Sequence, residues 1–189
     1  MSTLDPRSDL LLDVLELGRR AGNMVEKSFT ATAPEDLGVA AARVPARSPM
    51  ELDVRLESVV EGVLVTGVAD VMVEAECSRC LEPVSWNEDI EFSELYVYEP
   101  TDARGHVVER TDGADEDEQL TLKGDLIDLE PMLRDAVVLA LPLAPVCTDD
   151  CLGLCSECGV NLNDDPTHTH DTTDPRWGAL ASLLEPEQE

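Results

Sequence analysis

Leu52-Asp53-Val54-Arg55-Leu56-Glu57-Ser58, then Gly62-Val63-Leu64-Val65-Thr66-Gly67-Val68-Ala69-Asp70-Val71-Met72-Val73-Glu74-Ala75-Glu76-Cys77, is the stretch that decides the fold. Leu52, Val54 and Leu56 alternate with charged residues. Beyond a turn expected at Gly62, Val63, Val65, Gly67, Ala69, Val71, Val73 and Ala75 alternate again and run into Cys77. A period of two over this length predicts half-buried antiparallel strands. Ile90, Phe92, Glu94, Tyr96 and Tyr98 predict one more strand, which places Cys77 and Cys80 on a hairpin-like connection.

Outward from this centre the signals weaken. Leu10, Leu11, Leu12, Val14, Leu15 and Leu17 fit a short strand or a short helix, and Gly22 marks a turn. Pro34, Pro45 and Pro49 break the Ala-rich stretch 31–50. Residues 99–118 carry eight acidic and two basic side chains, including Asp115-Glu116-Asp117-Glu118, and predict a solvated, mobile loop in which His106 has no assigned role. Residues 128–140 predict a helix, with Asp128 as N-cap, Glu130 and Pro131 in the first turn, and Met132, Leu133, Ala136, Val137 and Leu139 as its apolar stripe. Pro142 and Pro145 end it. Asp174-Pro175 predicts the start of a terminal helix whose apolar face is Trp177, Leu180, Ala181 and Leu184. The expected architecture is α+β: a central antiparallel sheet with a C-terminal zinc-knuckle module and a terminal helix. Residues 1–142 form the α+β domain, and residues 143–189 form the cysteine-rich module with its helix.

The chain has 189 residues and a formal net charge of -28, with 43% apolar and only 3% aromatic residues. It is too apolar for a disordered acidic chain, so its core is built from Val, Leu, Ala and Ile. A generic nucleic-acid coat is excluded, because phosphates repel such a field. The charge divides into -3 over residues 1–60 and -25 over the rest. Any positive patch therefore belongs to Arg19, Arg20, Lys27, Arg43, Arg47 and Arg55, for which scattered surface charges are the stronger reading. The acidity has its own bland reading, which is solubility. No apolar run approaches the roughly 20 residues of a membrane span. Asp13 interrupts the leucines near the start, which do not read as an export signal. The expected compartment is the cytoplasm, where stable disulfides are rare and clustered cysteines read as metal or redox groups.

All six cysteines fall into such clusters. Cys77-x2-Cys80 stands alone; after 66 intervening residues come Cys147-x3-Cys151-x3-Cys155-x2-Cys158, and after nine more His168-x-His170. Eight soft or borderline ligands suffice for two tetrahedral zinc sites. A C-x2-C turn brings two sulfurs to one side of a tight loop, and Gly159 suits such a turn. Four protein ligands close the coordination sphere, so the metal is expected to be structural. One partition sets Cys155, Cys158, His168 and His170 around one zinc, and Cys77, Cys80, Cys147 and Cys151 around another. The alternatives are one all-thiolate site from Cys77, Cys80, Cys155 and Cys158, or no metal, with His168 and His170 as solvated loop histidines.

Redox catalysis fits poorly. Neither C-x2-C precedes a convincing helix, and Glu74, Glu76, Glu82 and Glu157 would raise thiol pKa values. Hydrolytic zinc chemistry needs an open ligand position and a base, and no H-E-x-x-H is present. Nor is there a P-loop, a G-x-G-x-x-G or a G-x-S-x-G.

Cys77-Ser78-Arg79-Cys80-Leu81-Glu82-Pro83 resembles the C-x-R-C-L-x-P signature of the YceD-like 23S ribosomal RNA accumulation proteins. Leu139-Ala140-Leu141-Pro142, Cys147 and the run from Cys151 to Asn163 resemble that family's C-terminal half, and Asp174-Pro175-Arg176 with Leu180 and Leu183 its closing helix. Some relatives carry C-x-C where this chain has His168-Thr169-His170, a swap that preserves ligand count. The resemblance implies a bacterial cytoplasmic, non-enzymatic factor for synthesis, processing or stability of 23S rRNA, often encoded beside a large-subunit ribosomal protein. It supplies no catalytic residues. The acidic field adds an expectation about partners: a basic ribosomal or assembly protein of the large subunit, with rRNA contacted indirectly or through the N-terminal arginines or Arg79, and no membrane. The competing class is a zinc- or thiol-dependent enzyme acting on RNA.

Overall fold

The alternating stretch folds as two strands of one antiparallel sheet in the computed structural model, which describes residues 8–99 and 120–170. The elements run β1 (Leu11–Asp13), β2 (Met24–Thr32), β3 (Ala42–Arg43), β4 (Pro49–Ser58), β5 (Gly62–Glu76), β6 (Pro83–Val97), β7 (Leu126–Asp128) and α1 (Glu130–Ala140). The predicted acidic loop (all but Glu99, with His106) and the predicted terminal helix from Asp174 lie outside the described residues. Strand order is β2-β4-β5, with β6 along the other side of β5 and the short β3 beyond the end of β4. β1 and β7 form a separate two-stranded sheet. An antiparallel sheet with one helix is the α+β class the sequence predicts.

One face of the sheet makes the core. Met50, Leu52, Val54 and Leu56 of β4 and Val63, Val65, Ala69, Val71 and Val73 of β5 are all buried on it, with Ile90, Phe92 and Tyr96 of β6. Met132, Leu133 and Val137 of α1 complete the cluster. Tyr96 donates to the carbonyl of Asp128 at 2.6 Å, tying β6 to the chain just before the helix. Burial, with Asp128 and Glu94 nearby, raises the Tyr96 phenol, so the hydroxyl stays protonated as the donor. Arg134 of α1 donates to the carbonyls of Asp36 at 2.6 Å and Glu35 at 3.2 Å, and pairs with Glu130 at 2.9 Å.

Two expectations are corrected and one element is added. Gly62 is the first residue of β5 and not the turn, which bends at residues 60–61. A Cβ at Gly62 would lie 1.9 Å from the Tyr96 carbonyl oxygen, so this glycine serves close strand approach. The helix starts at Glu130 with Leu129 as N-cap; Asp128 is held in the β1–β7 ladder opposite Leu11, although its carboxylate still accepts the Glu130 N–H at 3.1 Å. Residues 24–32, unassigned by pattern, form β2, paired along its whole length with β4.

The other face of the sheet is acidic. Cross-strand partners share a face, and the register sets Glu51, Asp70 and Asp89 in one row across β4, β5 and β6. The adjacent row holds Asp53, Val68 and Glu91.

Candidate metal centre

The 15-residue strands β5 and β6 meet in a tight connection, and that connection carries Cys77 and Cys80. The Leu81 N–H donates to the Cys77 carbonyl at 2.8 Å, and the Cys77 N–H donates to the Glu82 carbonyl at 2.9 Å. The same two bonds recur in the second C-x2-C. There, the Gly159 N–H reaches the Cys155 carbonyl at 2.9 Å and the Cys155 N–H reaches the Val160 carbonyl at 2.8 Å. Each turn closes on a left-handed residue: Gly159 at φ +73° and Leu81 at φ +62°. The two knuckles thus share one backbone design, one with the residue suited to it and one with a strained leucine.

Two clusters result. Cys77, Cys80, Cys147 and Cys151 form the first; Cys155, Cys158, His168 and His170 form the second. Within each, the ligand atoms all lie within 4.8 Å of one another, and each group could hold a metal ion. The first cluster is largely buried, and Val84, Val146 and Leu154 pack against it. The second is more exposed.

Arg79 holds the first cluster together across the chain. Its Nη1 donates to the carbonyls of Asp149 and Cys151, both at 3.0 Å, and its own carbonyl accepts the Leu154 N–H at 3.1 Å. Gly153 (φ +79°) packs on it so closely that a Cβ would sit 3.0 Å from the Arg79 oxygen. Asn163 is the other organiser. Its amide donates to Cys151 Sγ at 3.4 Å, and its oxygen accepts the Leu152 N–H at 2.8 Å. Sequence reasoning missed Asn163, whose one signal is the Asn161-x-Asn163 repeat, and considered Arg79 for RNA contact rather than for this role.

The distances test the fit to a tetrahedral ion. Bonds of about 2.3 Å to a central zinc require sulfurs about 3.8 Å apart. Cys77 and Cys151 sulfurs are 3.8 Å apart, and those of Cys80 and Cys147 are 3.7 Å apart. These two pairs match the edge of a tetrahedral zinc site, and the remaining sulfurs lie within 4.8 Å. In the second cluster, Cys158 Sγ lies 3.1 Å from His168 Nε2 and 3.2 Å from His170 Nε2, and the two nitrogens are 2.8 Å apart. These are shorter than the roughly 3.3–3.6 Å that zinc–nitrogen and zinc–sulfur bonds imply, so an ion here requires the ligands to spread by a few tenths of an ångström. Asp165 sits 4.0 Å from His168 Nδ1, on the ring side away from the cluster.

Hydrogen bonds to sulfur polarise the sites. The Cys80 backbone N–H, against the opposing effect of burial, lowers Cys77 to about 6. The Cys158 and Glu157 N–H groups lower Cys155 to about 6. Asn163 leads the lowering of Cys151. Cys80 moves the other way: the Glu82 N–H favours its thiolate, but burial and the neighbouring thiols outweigh it and push Cys80 up to about 12. Cys147 is also raised, chiefly by Cys151.

An antiparallel sheet whose central hairpin ends in one half of a cysteine cluster, with a second C-x2-C turn in another, defines an α+β protein with two clusters that could hold a metal ion. Comparison with known proteins identifies the particular group: the chain belongs to the YceD family, described as large ribosomal RNA subunit accumulation protein YceD, which matches residues 65–184. A protein of Mycobacterium tuberculosis is 41% identical over 182 residues, covering 96% of this chain and 84% of its own. One of Mycobacterium leprae is 36% identical over 188 residues, covering 95% and 80%. A maize protein named large ribosomal RNA subunit accumulation protein YCED homolog 1, chloroplastic, is 27% identical over 153 residues, covering 68% and 52%. No solved structure matches the chain significantly. Among the described residues, no helix is long and apolar enough to cross a membrane.

Proposed function

We propose that this chain is a cytoplasmic, non-enzymatic factor that supports synthesis, processing or stability of 23S rRNA, stapled by structural zinc, and that it reaches the large subunit through a basic ribosomal or assembly protein. The family description and the name of the maize relative support the rRNA role. The observation that carries the structural reading is the gathering of four sulfurs within 4.8 Å, two pairs of them at 3.7 and 3.8 Å. Cys77, Cys80, Cys147 and Cys151 would hold one ion, and Cys155, Cys158, His168 and His170 a second. A zinc with four protein ligands supplies folding free energy and leaves no position for a reacting water.

Charge supports the partner reading. Arg19, Arg47 and Arg55 each lie beside a carboxylate, of Asp125, Glu35 and Glu57 respectively, so their positive charge is offset locally. With -25 on residues 61–189, a cationic protein is attracted where bare RNA is repelled.

Native mass spectrometry tests the metal, with two zinc ions per chain expected. Cys155→Ser should release one ion and lower the melting temperature. If it instead abolishes an rRNA cleavage or modification activity while the fold and zinc content stay intact, the protein is an enzyme. For the partner, co-sedimentation with large-subunit precursor particles should exceed binding to bare 23S fragments. Tight, strongly salt-dependent binding to the bare RNA would overturn that part of the reading.

A further inference from the structure

Among the described residues β6 is an edge strand, and its backbone polarity can be read from its ends. The Cys77 N–H donates to the Glu82 carbonyl and the Tyr98 N–H donates to the Glu61 carbonyl, so positions 82 and 98 face the β5 side. Val97 points the other way: its N–H donates to Leu120 and its carbonyl accepts from Leu122. The β5–β6 register runs from Gly62↔Val97 to Glu76↔Pro83 without a bulge. The odd positions Asp89, Glu91 and Ser93 therefore turn both N–H and C=O away from β5. Among the described residues these groups have no backbone partner. An edge of this kind is a template for another strand.

That edge opens into a cleft of about 510 Å³ against α1. Asp89, Glu91, Glu94 and Asp135 rim it, and among the described residues no basic one lines it. Ala136 and Leu139 form its helix wall, and Leu139 is 85% exposed. A second copy of this chain would bring the same four acids against themselves, and RNA would bring phosphates. A strand carrying Lys or Arg on alternate positions and small apolar side chains between them satisfies the backbone, the carboxylates and Leu139 together.

We propose that the edge of β6 left open among the described residues, with the cleft beside α1, binds an extended lysine- or arginine-rich segment of a partner protein by strand addition. This deepens the reading of a basic partner and rests on it.

The test uses the full chain with a synthetic peptide of about ten residues that alternates lysine and valine. Binding should protect the amides of Asp89, Glu91 and Ser93 from hydrogen exchange. Glu91→Lys should weaken binding about tenfold or more, whereas Glu51→Lys, the same charge change on a strand away from the edge, should leave it within about twofold. A peptide with proline at its centre should bind weakly, because proline removes a ladder donor. Protection at other amides, equal effects of the two reversals, or no binding would each overturn the edge site. The co-sedimentation test would still judge the basic-partner reading separately. If a 23S fragment protects these same amides, the edge is an RNA site and the proposal fails.

Discussion

Two residues show how closely local chemistry is fitted to this fold. Gly67 lies mid-strand, where a Cβ would meet the Asp53 carbonyl at 2.4 Å and the Phe92 ring at 2.7 Å. Phe92, opposite in the register, fills the space a side chain would occupy. Gly67→Ala is expected to destabilise the protein by about 1–3 kcal/mol, seen as a lower urea midpoint with unchanged slope. Leu81 carries the opposite mismatch, a left-handed backbone on a branched, largely exposed residue. Leu81→Gly should leave stability unchanged or raise it by up to about 1 kcal/mol in the same assay, and a clear loss would show that Leu81 packs on something that offsets its strain. At this scale the sequence was partly readable. The C-x2-C spacing exposes the sulfurs, but the roles of Asn163 and Arg79 depend on groups that only folding brings to them. Asn163 meets Cys151 from 12 residues away, and Arg79 meets it from 72.

At the scale of elements, legibility followed the strength of alternation. β4 and β5 alternate cleanly because each has one face in the core. β2 did not declare itself, because Lys27 interrupts the series Val25, Phe29, Ala31 and only Ala31 of these is fully buried. β1 has three residues, too few for any period to be visible. The helix was placed, but its start was read two residues early because tertiary pairing captured Asp128 for β7. The sheet's outer face makes its own prediction. Asp70 stands between Glu51 and Asp89 in one cross-strand row, and like charges directly opposite destabilise a sheet. Asp70→Asn should stabilise the protein by about 0.5 kcal/mol at low salt, and the gain should shrink as added salt screens the row.

For the whole molecule, the clusters set the response to pH. Cys77 and Cys155 are lowered to about 6 from an ordinary thiol value of 9.0. Between those limits the unfolded chain holds more protons at these two sulfurs, so their contribution to stability rises with pH and is lost as pH falls through 6. Cys80, pushed up to about 12, contributes the reverse: its share is present below 9.0 and lost above it. The urea midpoint of chelator-treated protein should therefore rise between pH 6 and 9 through these two thiols. A flat profile there would show that they are not polarised by their knuckles. In the metal-loaded protein, acidification should release the ions, since protons and zinc compete for the same lone pairs. The first cluster also draws its sulfurs from two distant parts of the chain, 66 residues separating Cys80 from Cys147. On a translating ribosome that distance becomes time. At about 5–20 residues per second, the hairpin thiols are made several seconds before their partners exist. In that interval they are an open dithiol with no partner sulfurs to close around a shared ion.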